Sequence, residues 1–169
     1  MSNDISVSND TKCRINMKTV FRDLLFTDLE CKSDFEVIDF LSSKLLESGK
    51  VKEDFAKEVK KRETIAPTGL PTVPYGVAIP HTEQDHVNET CLAFARMKKE
   101  IVFKSILNDG SDVNVKFVFL LASRDSKGHM QFMKNIMTAF QSEEIQHRLM
   151  DAKDPDELYE ILKFIDEND

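Results

Sequence analysis

Apolar residues follow two different spacings along the chain, and the change of spacing separates the predicted helices from the predicted strands. In the segments before and after the central part of the chain, apolar residues recur every three or four positions, as they do in amphipathic helices. Between residues 76 and 122 the apolar residues instead form continuous runs. A further apolar stretch at 19–26 predicts a first strand or a pair of strands. This order of elements predicts an α/β domain.

Two helices are predicted after the first strand. Ser33 and Glu36 have the spacing of a capping box, and one apolar face then continues to a glycine stop at Gly49. A second helix is predicted at 52–62, with its lysines outside the apolar stripe. From 64 to 80 the helical spacing disappears, and repeated prolines and glycines predict a long, stiff loop.

The predicted sheet segments follow this loop. Residues 77–79 form a short strand that ends at Pro80, because proline has no N–H to give to the ladder. Strands are also predicted at 91–97, 101–103 and 115–122, and the last should be buried on both faces because it is nearly all apolar. Since a turn at 108–110 can join the last two, the sheet is expected to be mixed.

Three helices are predicted in the C-terminal part. Ser126 and Ser142 are candidate N-caps, and Asp154 before a proline is a strong start signal. The first of these helices carries a methionine-rich stripe, which we interpret as core rather than as an adaptable partner surface. That stripe consists of Met130, Met133, Ile136, Met137 and Phe140.

Charge and cysteine content exclude several classes of protein. The chain of 169 residues has a formal net charge of −7, so it is a poor candidate for nucleic-acid binding. Cys13, Cys31 and Cys91 form no CxxC, which argues against a disulfide framework or a zinc site. No apolar run could cross a membrane, and a reduced cytoplasm is the simplest compartment. Residues 1–16 are polar and aperiodic, which predicts a flexible leader before a single domain at 17–169.

Three residues are candidates for chemistry. His81 follows the predicted strand at the sheet edge where open α/β sheets carry their sites, although it could be an ordinary loop residue. His129 lies in the first turn of a predicted helix, where an imidazole stays neutral and N–H groups favour an anion; it could also be a plain first-turn residue. Arg62 ends the second helix, where a guanidinium could bind phosphoryl oxygens or simply extend a solvated basic face.

The other two histidines are not expected to take a direct part in chemistry. His86 lies in a polar run and is predicted to be exposed, and His147 has the spacing of a surface position. His81 and His86 are five apart without a third ligand nearby, so a metal site is not expected.

Several motifs together resemble the enzyme IIA domain of the bacterial phosphotransferase sugar-uptake system, in its fructose/mannitol class. They are Arg-Glu at 62–63, Pro-Thr-Gly at 67–69, Gly-Val-Ala-Ile-Pro-His-Thr at 76–82, Phe-Leu-Leu-Ala at 119–122 and His-Met at 129–130. The resemblance runs from about Val20 to the C-terminus. The sequence at 67–72, the longer gap to the histidine and Thr82 after it are most similar to the galactitol branch, because many fructose and mannitol members have glycine there.

The resemblance implies a three-layer α/β/α fold with a mixed central sheet, and a phosphotransferase activity. His81 matches the phosphorylated nucleophile, which would accept a phosphoryl group from the carrier protein phospho-HPr and pass it to a cysteine of enzyme IIB. His129 matches the second active-site histidine and Arg62 the arginine, both of which would stabilise the phosphoryl group. The membrane transporter IIC would be an indirect partner. Neither a cofactor nor a metal is implied, and direct membrane insertion is not expected.

Two other functions compete with a carrier role in sugar uptake. One is a stand-alone regulatory domain of the same fold, which would signal through histidine phosphorylation and partner binding. The other is a histidine-based hydrolase, for which the sequence offers no nucleophile elbow. In a carrier, apolar surface around His81 would dock the partners, and Leu70, Val73 and Tyr75 are candidates for that surface.

Overall fold

A five-stranded mixed sheet forms the centre of the protein. The computed structural model describes residues 18–124 and 126–167, without the side chains of 126–129, and the predicted leader at 1–16 lies outside these residues. The strands are β1 (Val20–Leu29), β2 (Gly69–Leu70), β3 (Gly76–Ala78), β4 (Cys91–Lys104) and β5 (Asp112–Ala122). Their spatial order is β1-β4-β5-β3-β2. The β1–β4 and β3–β5 pairs are parallel and the other two are antiparallel, which confirms the predicted mixed sheet.

Helices cover both faces of the sheet. They are α1 (Asp34–Glu47), α2 (Phe55–Ile65), α3 (Ser126–Gln141), α4 (Glu143–Asp151) and α5 (Pro155–Leu162), with 3₁₀ turns at Gln84–His86 and Lys163–Asp166. Because side chains alternate across a strand, β4 sends Ala93 and Ala95 toward α1 and α2, and sends Leu92 and Phe94 toward α3–α5. Two apolar cores result, and the three-layer α/β/α class is confirmed. Over the described residues, no helix has the length and apolarity needed to cross a membrane.

Local capping explains why three of the predicted helix starts are correct. The Ser33 hydroxyl accepts from the Glu36 amide at 3.2 Å, and Glu36 reaches back to the Lys32 amide at 2.7 Å. Ser142 and Asp154 cap α4 and α5 in the same way, by accepting from amides three residues later. Each cap satisfies an N–H that the first helical turn leaves without an intrahelical partner.

Two boundaries differ from the prediction. The strands predicted at 91–97 and 101–103 are one continuous strand, β4, whose ladder with β5 shifts register between Arg96 and Ile101. The polar residues 98–100 are exposed at this irregularity, which is why the apolar pattern is interrupted without the strand ending. Helix α2 begins at Phe55 and continues to Ile65, so it lies three residues later than predicted.

The methionine stripe of α3 is only partly core. Met130 is 74% exposed and Met137 is 42% exposed, so the core prediction is wrong for both. Four other residues form the buried face of this helix: Phe132, Ile136, Ala139 and Phe140. Met137 follows Ile136 and is therefore turned about 100° away from that face.

The start of β1 is joined to the C-terminal end of the described chain. The Asp166 carboxylate accepts from the Thr19 amide at 2.8 Å, from the Thr19 hydroxyl at 2.5 Å and from the Val20 amide at 3.2 Å. Thr19 is buried, so these bonds satisfy donors that water does not reach. One carboxylate thus closes the edge strand against the last turn of the fold.

Candidate functional site

His81 lies at the carboxyl end of two parallel strands. Its backbone extends β3 by a single bridge to Leu121 of β5, and the Leu121 amide donates to the Pro80 carbonyl at 3.0 Å. The His81 side chain is half-buried. The ladder with β5 therefore holds the Pro-His turn in place and presents the imidazole at the sheet edge that the sequence predicted.

A hydrogen bond fixes the ring chemistry of His81. Its Nδ1 lies 2.8 Å from the carbonyl oxygen of Ile79. A carbonyl oxygen only accepts, so Nδ1 carries the proton and donates. In the neutral imidazole the other nitrogen, Nε2, then holds the lone pair. Any nucleophilic attack by this ring would therefore come from Nε2.

Arg62 is brought to the segment that follows His81. It lies in the last turn of α2, and its Nη1 donates to Glu83 Oε1 at 3.0 Å. Arg62, Thr82 and Glu83 line one surface cleft of about 220 Å³. The Arg62 Nε is buried and has no hydrogen-bond partner among the described residues. The guanidinium therefore keeps one buried N–H that has no acceptor among the described residues.

His129 lies in the first turn of α3, which begins four residues after β5 ends. His81 bridges to Leu121 near that same end of β5. The backbone therefore brings the start of α3 to the sheet edge that carries His81, as the sequence predicted. The position of the His129 side chain is not among the described features, and its role stays a prediction.

Glu63 is a buried carboxyl group that sequence reasoning did not identify as a site residue. It is 5% exposed and accepts from the Thr68 amide at 2.8 Å and from the Thr68 hydroxyl at 2.9 Å. Burial raises the pKa of Glu63 from its usual value to about 7, although the Thr68 hydrogen bonds and Arg62 oppose the shift. A signal was present in the sequence, because Glu63 continues the four-residue spacing of Phe55 and Val59 on the buried face of α2.

The remaining histidines have ordinary partners. His86 is half-buried rather than exposed, because its Nδ1 lies 2.8 Å from Asp54 Oδ2. The side chain of His147 is 55% exposed, which confirms the predicted surface position. No group of three or more metal-binding side chains occurs in the part of the chain that the structure describes.

The loop before β3 is held by a fully buried amide from α4. Gln146 accepts from the Tyr75 amide at 2.9 Å and donates to the Thr72 hydroxyl at 3.1 Å. Val73 is 78% exposed on this loop, whereas Leu70 and Tyr75 are half-buried against the core. Of the three predicted docking residues, only Val73 is largely accessible.

Comparison with known proteins gives a family match over most of the chain. Residues 19–164 match the family described as phosphoenolpyruvate-dependent sugar phosphotransferase system, EIIA 2. The chain is 30% identical over 161 residues to the PTS system 2-O-alpha-mannosyl-D-glycerate-specific EIIABC component of Escherichia coli K12, a match covering 92% of this chain and 24% of that protein. It is 29% identical over 133 residues to the probable licABCH operon regulator of Bacillus subtilis 168, covering 78% of this chain and 19% of that protein.

The fold is also similar to a solved structure. In the complex of enzyme IIAMTL and phosphorylated enzyme IIBMTL from Escherichia coli, the matching chain gives a TM-score of 0.71 at 23% identity, over 87% of this chain and 98% of that one. The present chain spans a quarter or less of the length of the two curated relatives. Neither is a galactitol component, so the galactitol branch stays a prediction.

Proposed function

The chain belongs to the EIIA 2 family of the phosphoenolpyruvate-dependent sugar phosphotransferase system, and on that premise we propose that it carries a phosphoryl group on His81. The carrier unit is a single domain over 17–169. The observation that carries this proposal is the hydrogen bond between His81 Nδ1 and the Ile79 carbonyl, because it assigns the lone pair to Nε2. A neutral imidazole held in one tautomer is a nucleophile near pH 7.

The transfer begins when Nε2 attacks the phosphorus of a donor phosphohistidine. The bond between phosphorus and the donor nitrogen breaks, and its electron pair returns to the donor ring. His81 then has phosphorus on Nε2 and a proton on Nδ1, so its ring is cationic. The Nδ1–H donor to Ile79 becomes charge-assisted, which stabilises the intermediate.

The onward step reverses this pattern. A thiolate attacks the phosphorus, the bond to Nε2 breaks, and the electron pair returns to Nε2. The leaving group is a neutral imidazole because Nδ1 kept its proton throughout. Holding the proton on Nδ1 therefore assists both halves of the transfer, without a proton having to enter or leave the ring.

Positive charge and N–H donors support the phosphoryl group during transfer. Arg62 lies beside the 82–83 segment, and its partly exposed guanidinium has N–H groups to donate. Phosphoryl transfer depends on positioning and electrostatic stabilisation more than on covalent help from the protein. We assign this stabilisation to Arg62, to the start of α3 and to His129.

The partners and substrate follow from the same assignment. The donor is phospho-HPr and the acceptor is a cysteine of enzyme IIB, with the IIC transporter downstream and the cytoplasm as the compartment. The similar solved complex pairs a IIA chain with a phosphorylated IIB chain, which supports the acceptor. The sugar is galactitol- or fructose-like, on the strength of the sequence around 67–72 and Thr82.

A regulatory role is the second candidate function. One relative is named as a probable operon regulator, so this fold occurs in proteins with that description as well as in transport components. A regulatory domain would accept the phosphoryl group on His81 and change its affinity for a target. It would not pass the group rapidly to a IIB cysteine.

The test is intact-mass analysis after incubation with phosphoenolpyruvate, enzyme I and HPr. The wild type should gain one phosphoryl group, His81→Ala should gain none, and the matched surface variant His147→Ala should behave as wild type. Labelling of His81→Ala would mean that a residue other than His81 is phosphorylated. Adding purified IIB then separates the two functions, because a carrier loses its label within the mixing time whereas a regulatory domain keeps it.

A further inference from the structure

The buried Glu63 is connected to His81 through three hydrogen bonds and the backbone of Ile79. Its carboxylate accepts from the Thr68 hydroxyl at 2.9 Å, and the oxygen of that hydroxyl accepts from the Ile79 amide at 3.2 Å. The carbonyl of Ile79 in turn accepts from His81 Nδ1 at 2.8 Å. The connection runs from α2, through the loop before β2, to the residue that follows β3.

We propose that Glu63 is a positioning residue, which acts through Thr68 to fix the backbone of Ile79 and thereby keeps the proton of His81 on Nδ1. The proposal rests on the phosphocarrier role of His81, and it adds the group that sets the ring's tautomer. The hydrogen bonds of the Glu63 carboxylate go to Thr68, so its effect on His81 is on geometry and protonation.

The direction of the hydrogen bonds requires an acceptor at position 63. A threonine hydroxyl has one proton to donate and lone pairs to accept with. When the proton points to the Glu63 carboxylate, a lone pair is directed to the Ile79 amide. Without that acceptor the hydroxyl can rotate, and the Ile79 N–H loses a fixed partner.

The backbone of Ile79 is then constrained from both sides. Its N–H is held by Thr68 and its carbonyl faces His81, while the next carbonyl, of Pro80, is held by the Leu121 amide. A rotation of the Ile79 carbonyl would remove the acceptor that selects the Nδ1–H tautomer. The lone pair on Nε2 therefore depends on an anchor that lies outside the reacting groups.

Burial of this carboxyl group needs a reason beyond packing. Phe55 and Val59 precede it on the same buried face of α2, where an apolar residue would complete the stripe without a desolvation cost. The raised pKa of Glu63 shows that the site bears that cost. The neighbours that share its pocket of about 210 Å³ include Asp34 and Lys104, and neither has a hydrogen bond to it among the described contacts.

The test compares Thr68→Val with Thr68→Ser. Valine keeps the shape but removes the hydroxyl, whereas serine restores it, and Thr64→Val is the matched control because Thr64 is exposed on the same helix as Glu63. Long-range ¹H–¹⁵N spectra of the unphosphorylated protein at pH 8, where Glu63 with its pKa of about 7 is ionised, report which ring nitrogen of His81 is protonated. The wild type, Thr68→Ser and Thr64→Val should show a protonated Nδ1, and Thr68→Val a mixture of both tautomers.

Phosphorylation rates complete the test. Thr68→Val should be phosphorylated 10-fold to 100-fold more slowly, on the order expected for a misplaced reacting group, and Thr68→Ser should recover the wild-type rate. Glu63→Gln serves as the second variant if Thr68→Val does not fold. An amide can donate to the Thr68 oxygen, so the hydroxyl proton is no longer directed and the tautomers should again mix.

The outcomes separate this inference from the proposed function. If the ring signals of Thr68→Val and Glu63→Gln match those of the wild type, the positioning role of Glu63 is overturned even where His81 is phosphorylated. If the ring signals change as expected but the wild type accepts no phosphoryl group from phospho-HPr, the positioning role stands and the carrier role fails.

Discussion

Arg62 donates from Nη1 to Glu83 at 3.0 Å, so the cation assigned to the phosphoryl group is paired with a carboxylate two residues after His81. Both side chains are substantially exposed, at 39% and 73%, and such pairs contribute about 0–1 kcal/mol to stability. The pair can therefore open at little cost when a phosphoryl group arrives. Arg62 is held near the site without being committed to Glu83.

Replacing Arg62 should impair transfer much more than folding. We expect Arg62→Gln to slow phosphorylation of His81 roughly 100-fold, as removal of one preorganised donor to a developing charge does elsewhere. The free energy of unfolding should change by less than about 1 kcal/mol. Stopped-flow phosphorylation and urea titration check the two parts, and Lys61→Gln on the same helix is the control. Equal rates for Arg62→Gln and wild type would remove Arg62 from the mechanism.

Stability should depend on pH through Glu63. Its pKa is raised from 4.5 to about 7 in the folded protein, so between these values the folded state holds a proton that the unfolded state has lost. The free energy of unfolding therefore falls as pH rises through this window, by up to ~3 kcal/mol for this group. Glu63→Gln should not show this pH dependence, because glutamine does not titrate.

Urea titrations of the wild type and Glu63→Gln at pH 4.5, 6 and 8 measure this. The difference between the two proteins cancels the other titrating groups. We expect the wild type to lose stability relative to the variant with rising pH. If the free energies of unfolding of the two proteins changed equally between pH 4.5 and pH 8, a raised pKa of Glu63 would be contradicted.

Gly76 should tolerate no side chain, because a Cβ placed there would lie 2.1 Å from the carbonyl oxygen of Asn114. Gly76→Ala must therefore separate β3 from β5, and we expect a loss of about 1–3 kcal/mol of stability together with slower phosphorylation of His81. Gly49→Ala is the control. That glycine has φ +71° and open space around it, so alanine should lower stability through backbone strain alone and leave the rate unchanged.

Asp166 should contribute to stability by satisfying the start of β1. Asp166→Ala leaves the buried Thr19 donors without their acceptor, and we expect a loss of about 1–3 kcal/mol. Hydrogen exchange at the Val20 amide should accelerate in parallel. Asp156→Ala, which removes only an exposed ion pair with Arg22, should change the free energy of unfolding by less than about 1 kcal/mol.

The sequence predicted features that depend on local chemistry. Ser33 and Asp154 mark helix starts because a cap needs only its own side chain and an amide three residues away. The register irregularity in β4 depends instead on its partner β5, so residues 98–100 suggested a break where the strand continues. Met130 and Met137 share the helical spacing of core residues, but the fold buries the face centred on Ile136 and leaves these two methionines exposed.

The same contrast between local features and features that depend on distant partners applies to the site residues. His81 and Arg62 belong to contiguous motifs, which made them visible as candidates. The hydrogen-bond partner of Glu63 is Thr68, which lies in a loop. Thr68 in turn accepts from Ile79, which lies eleven residues after Thr68 in the chain. A periodic pattern could show that Glu63 is buried, but only the folded backbone shows what its carboxylate holds.

The attachment of β1 has a consequence for how the domain is made. During synthesis β1 emerges before the other strands, yet its ladder partner β4 begins more than 60 residues later and Asp166 comes later still. Contacts so distant in sequence form slowly, because a long loop must close first. The nascent strand therefore leaves the ribosome with unpaired backbone groups, and these stay open to wrong pairing until the last turn is translated.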